Sequence, residues 1–116
     1  MNELRIGITL NYAKGGAELN INKSATFDSA NALSADNIQK VGTVEESVFV
    51  GDVTNAIYVF VQNTDTTNYV QIGTAADEYS IRLKPGQFAI FPPDASTLKA
   101  KANVAECAVR FAVVSA

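Results

Sequence analysis

Residues 56–73 read AIYVFVQNTDTTNYVQIG, and the fold turns on how this stretch is parsed. Ile57, Val59 and Val61 alternate with Tyr58 and Phe60, so AIYVFVQ is apolar on both faces of an extended strand. A strand of that kind lies inside a sandwich or against a neighbouring subunit. YVQIG is a second short strand, and between the two stand the small polar residues Asn63 to Asn68. Asn, Asp and Thr side chains bond nearby backbone amides, and Asn tolerates left-handed φ, so NTDTTN is expected to be a solvent-facing turn that sets the register of its two strands. The competing reading, a calcium loop, fails at its demanding positions. Asn68 stands where the sharp-turn glycine belongs and Thr74 where the bidentate carboxylate belongs.

Working outward, the same period of two recurs. LRIGITLNY, residues 4–12, places Leu4, Ile6, Ile8, Leu10 and Tyr12 on one face of a strand expected to be half-buried. VGTVEESVFVGDV implies a strand around residues 44–50, closed by Gly51-Asp52. CAVRFAVV puts Cys107, Val109, Phe111 and Val113 on one face. In Lys84-Pro85-Gly86, Pro presets φ for the first central turn position and Gly accepts positive φ at the second, a type II preference, so residues 79–91 are expected to form a hairpin. Residues 13–40 are the least patterned. Lys14-Gly15-Gly16 is a turn signal, a short strand around Ala17 to Ile21 follows, and SADNIQK reads as a capped turn of helix or a loop. The expected fold is all-β: one antiparallel β-sandwich over residues 1–116, jelly-roll-like or immunoglobulin-like, with about seven to eight short strands. Residues 13–40 would be a long loop-rich excursion.

A chain of 116 residues is one domain in length and buries enough surface to fold without metal or disulfide. Charged residues are 18%, which leaves much of the surface neutral and suits extensive partner contact. Nine Lys and Arg against twelve Asp and Glu give a net charge of -3 with no basic run, which argues against nucleic acid as a partner. Lys99 and Lys101 alone pair up, two apart on one strand face, and read either as an interface or as protection of a sheet edge. The stretch MNELRIG lacks a basic start followed by an apolar core, and nothing approaches the ~20 apolar residues of a membrane span. Synthesis and assembly in a cytoplasm, with no membrane partner, are the expectation.

Catalytic chemistry has few residues to work with. Histidine is absent, which removes Ser-His-Asp and Cys-His arrangements and His-containing zinc sites. The single cysteine, Cys107, sits in an apolar run and reads as a buried small hydrophobe. Glu45-Glu46 and Asp77-Glu78 are neighbours on extended chain and point to opposite faces, so neither offers two carboxylates to one substrate. No catalytic, cofactor or metal residue is expected, and the chain is not read as an enzyme. A carbohydrate-binding module is a further alternative, with Tyr12, Tyr69 and Tyr79 as its only aromatic candidates and no Trp to make a platform.

From Val41 onward the runs VGTVEESVFVGDV, VFVQNTDTTNYVQIG, IRLKPGQFAIFPP and LKAKANVAECAVRFAVVSA together resemble a group of small tailed-bacteriophage virion proteins. The likeness covers about two thirds of the chain in strand and turn signatures, and residues 1–40 carry none of it. It implies a structural protein of the virion, first a capsid cement or decoration protein bound to the major capsid protein, alternatively a tail, neck or fibre-attachment component. It also implies a homo-oligomer, a trimer being favoured. Expected protein-contact residues are Tyr58 and Phe60, with Lys99 and Lys101; the unpatterned first segment would order against a neighbour. For Tyr58 and Phe60 the second core face of a closed sandwich is the equal alternative.

Overall fold

At Gly15 and Gly16 φ is 57° and 88°, the positive pair that a two-residue type I′ hairpin demands. This turn joins β1 (Leu4–Lys14) to β2 (Ala17–Phe27) in register from Leu4↔Phe27 to Lys14↔Ala17. The computed structural model describes residues 3–29, 33–48, 53, 55–74, 77–93 and 98–115. Where the sequence suggested one sandwich over 1–116, the chain forms two compact units, Met1–Ala30 and Asn31–Ala116. The first carries the two-stranded β1-β2 sheet. Its β1 face is not half-buried as expected: Ile8, Leu10 and Tyr12 are exposed. Periodicity reports that a face is apolar, and nothing about whether another surface covers it.

The second unit contains β3 (Ser34–Val41), β4 (Glu46–Ser47), β5 (Ala56–Asn63), β6 (Val70–Gly73), β7 (Ile81–Leu83), β8 (Phe88–Phe91), β9 (Lys99–Ala102) and β10 (Cys107–Ser115). Antiparallel pairs nest: β3 with β10, β4 with β9, β5 with β8 and β6 with β7. That is one long folded-over ribbon, and rolling it up adds the pairs β10 with β5 and β9 with β6. Two four-stranded sheets result, β3-β10-β5-β8 and β4-β9-β6-β7, the arrangement of a jelly roll rather than the immunoglobulin order. Alternate residues of both sheets meet in the middle. Phe111, Ile72 and Leu98 are the largest fully buried side chains, packed with valines of β5, β6 and β10.

Two sequence expectations change here. Residues 13–40 are not a loop-rich excursion, since β2 and β3 occupy most of them. SADNIQK is an edge strand paired on one side by β10, and its polar pattern follows from that edge position. Residues 79–91 are not an in-sheet hairpin: β7 pairs with β6 and β8 with β5, in different sheets. The turn itself is as expected, with Gly86 at φ 82° and Gln87 N–H donating to Lys84 O at 2.9 Å. A type II turn splays its flanking strands, which suits a crossing between sheets. Of the strand expected around 44–50, β4 covers 46–47, and residues 49–50 lie outside the described residues.

Gly73 ends β6 where the chain passes against Glu78. A Cβ built at Gly73 would lie 1.8 Å from the Glu78 carbonyl oxygen, a backbone atom that cannot swing away. Gly73→Ala is expected to destabilise the sandwich by about 3 kcal/mol or more, read as a lowered urea midpoint, whereas Gly7→Ala, with open space around it, leaves the midpoint unchanged.

Candidate functional site

The NTDTTN segment closes on itself. Asn63 is fully buried, and its Nδ2 donates to Asn68 O and to Leu83 O, both at 2.9 Å, while its Oδ1 accepts from Asp65 N–H at 2.9 Å. Asp65 Oδ2 then accepts from Thr67 N–H and Asn68 N–H at 3.0 and 2.7 Å, and these bonds hold its carboxyl below the usual range. Thr64 donates through both backbone N–H and Oγ1 to Ala108 O. These oxygens therefore serve the chain's own amides. The turn reading holds with one amendment: its first residue is a buried clamp rather than a solvent-facing one.

The adjacent carboxylates diverge. Glu45 Oε1 accepts from Asp77 N–H and from the Tyr79 hydroxyl, while Glu46 accepts from Gln39 Nε2 at 2.7 Å and lies 3.4 Å from Gly42 N–H. The Tyr79 hydrogen bond comes first among the causes that lower the Glu45 carboxyl; the same bond pushes the Tyr79 phenol up to about 12. Cys107 is buried, and burial raises its thiol. Of the three tyrosines, Tyr12 lies on β1 of the first unit; in the second, Tyr79 is bound to Glu45 and Arg82 sits 4.5 Å from the Tyr69 ring centroid.

What the sandwich does present is two unlike outer faces. On the β3-β10-β5-β8 sheet, Val59, Val61 and Asn63 point inward, so Tyr58, Phe60 and Gln62 point out. Register places Phe60 between Ala112 and Ile90, and Gln62 between Arg110 and Phe88. The Phe60 and Phe88 rings lie 6.1 Å apart. Ile38 and Phe88 are 62% and 65% exposed and Ile90 38%, which makes this face apolar and open. Its charged side chains are Asp36, Lys40 and Arg110, of which Arg110 pairs with Asp36 through two hydrogen bonds at 2.8 and 3.0 Å that hold the Asp36 carboxyl down. A shallow depression beside Ile38 is lined by Asp36, Asn37 and Arg110.

The β4-β9-β6-β7 sheet carries mostly cations outside, with the Glu45 carboxylate near enough to Lys99 and Lys101 to be drawn down by both. Lys99 and Lys101 alternate with buried Ala100 and Ala102, and register sets Lys101 beside Gln71 and Gln71 beside Arg82. Edge protection is not their role, because β9 is an inner strand between β4 and β6. Tyr58 and Phe60 thus share one sheet's outer face while Lys99 and Lys101 share the other's, and the four form no single surface. Ile38, Phe88 and Ile90 were missed as surface residues. For the last two a signal existed, since FAIF is apolar on both faces; Ile38 stood alone in a polar segment. Compared with known proteins, the chain matches no family model, no curated protein and no solved structure.

Asn63→Ala would leave the Leu83 and Asn68 carbonyls and the Asp65 amide without their partner. Each buried orphan costs about 1–3 kcal/mol, so a loss of about 3 kcal/mol or more is expected in urea unfolding, with Asn63→Asp no better. Acid sensitivity follows from Asp65 and Glu45, both held below their ordinary values. Their stabilisation is present above the ordinary carboxyl range near ~4 and is lost as pH falls through the folded values. The urea midpoint should drop on acidification from about pH 6 to about pH 3, and the Asp65→Asn, Glu45→Gln double variant should drop less.

Proposed function

We propose that this chain is a non-enzymatic structural protein of a tailed-phage virion, a cement protein that lies on the major capsid shell. The observation that carries this reading is the segregation of its two outer faces, one apolar and one cationic, in a chain of net charge -3. A small jelly roll with two unlike broad faces is suited to lie between surfaces, and viral capsid proteins are among the uses of that architecture. The strand and turn signatures after Val41 support the same reading. The shell contact is made by the Lys99, Lys101 and Arg82 face against an acidic patch of the major capsid protein. Each contact is modest, and many repeated contacts together stiffen the shell.

Binding of the purified protein to shells that lack it tests this. Saturation at a copy number comparable to the major capsid protein is expected, with affinity falling steeply as salt rises. Lys99→Glu with Lys101→Glu should weaken binding about tenfold or more while leaving the urea midpoint within about 0.5 kcal/mol. A few dozen copies per purified particle would instead assign the chain to tail, neck or fibres, and absence from particles would overturn the virion reading.

A further inference from the structure

We propose that Tyr79 is a positioning residue for the Lys99 and Lys101 face: together with the Asp77 N–H it holds the Glu45 carboxylate off the two lysines and so leaves them to an external carboxylate. This rests on the reading of that face as the acid-binding side, and adds the device that keeps it unblocked. The β4-β9 register sets the problem. Glu46 pairs with Ala100 and Ser47 with Lys99, so one step further back Glu45 comes opposite Lys101. Val48 is buried and Glu46 turns to Gln39 of the other sheet, so by alternation Glu45 and Ser47 share the outer side with Lys99 and Lys101. Lys99 Nζ accordingly donates to Ser47 Oγ at 3.0 Å. A carboxylate across from a lysine on one sheet face is a ready cross-strand ion pair. Formed here, it would occupy the cations that an acidic partner needs.

The Glu45 carboxylate is engaged elsewhere. Its Oε1 accepts from the Asp77 N–H at 2.7 Å and from the Tyr79 hydroxyl, donors 32 and 34 residues further along the chain. Among the described residues Glu45 forms no ion pair with either lysine. Two backbone features bring the donors to it. At Gly73 the chain passes Glu78 more closely than any side chain would permit. Asp77 takes φ 58°, a left-handed conformation that Asp tolerates better than most residues, and in it the Asp77 N–H donates to Glu45. The groups bearing on this carboxylate are thus Tyr79 and Asp77 from one segment and Lys99 and Lys101 from β9, with the Tyr79 bond the strongest influence and the lysine charges the weakest. A charge-assisted bond from a hydroxyl is about twice as strong as a neutral one. Without it the carboxylate keeps one donor and turns to the lysines beside it.

Binding of a polyglutamate peptide to the full chain at low salt, with no shell present, tests this. Tyr79→Phe removes one oxygen and changes no charge, and is expected to weaken binding about two- to fivefold, the range an exposed ion pair commands. Glu45→Gln should tighten binding by a similar factor. Tyr79→Phe added to Glu45→Gln should then change nothing further, because the hydroxyl acts only through that carboxylate. If Tyr79→Phe binds as the wild type does, or weakens binding equally with and without Glu45, the role of Tyr79 is overturned while the acid-binding face stands. If no variant binds polyglutamate, or if Lys99→Glu with Lys101→Glu leaves binding intact, the face is not the acid-binding side and both readings fall.

Discussion

One buried amide holds the sandwich in register. Asn63 ends β5 in the first sheet, yet its Nδ2 reaches Leu83 O at the end of β7 in the second and Asn68 O across the turn. Its backbone N–H donates to Gln87 O, and its own carbonyl accepts from Gly86 N–H. A fully buried amide left without partners is costly, and here both donors and the acceptor are matched. A one-residue slip of β5 would turn Asn63 out, bring Gln62 in and break every one of those bonds at once. Two features that look separate in the chain, the NTDTTN turn and the Lys84-Pro85-Gly86 crossing, are therefore locked to the same side chain.

Given that lock, the two outer faces follow. β5 and β10 alternate strictly, so burying Val59, Val61, Val109, Phe111 and Val113 forces Tyr58, Phe60, Arg110 and Ala112 outward. The same alternation in β9 buries Ala100 and Ala102 and turns Lys99 and Lys101 to the opposite exterior. The rolled ribbon then sorts by sheet what the sequence only sorts by face. The apolar outward positions Phe60, Phe88, Ile90 and Ile38 gather on the sheet containing β5, β8 and β10, together with Arg110 and Lys40, whereas Lys99, Lys101 and Arg82 gather on the sheet containing β6, β7 and β9. A molecule with one apolar and one cationic side can engage two different surfaces, which no single patch would allow.

The hairpin of the first unit obeys other rules. Its turn is fixed locally by two glycines at positive φ, and its long register needs no distant contact to be specified. Stability is the harder matter, because two strands bury little by themselves. The sandwich closes its own core around Phe111 and Ile72, whereas the hairpin keeps an apolar face in view.

Much of this was legible in the sequence by itself, for a local reason: alternation, turn residues and the lack of His are properties of short windows. They determined the all-β class, the strands AIYVFVQ, YVQIG and CAVRFAVV, the burial of Cys107, the polar turn and the type II bend. Tertiary structure decided what depends on pairing between distant residues. β3 is a strand because β10 pairs with it across some seventy positions, and its polar edge sequence gave no local sign of that. The jelly-roll order, the crossing at Pro85-Gly86 and the division of Tyr58 and Phe60 from Lys99 and Lys101 arise only when the ribbon is rolled. Period two tells which residues share a face; which face meets the core, a second sheet or open solvent is settled by long-range packing alone.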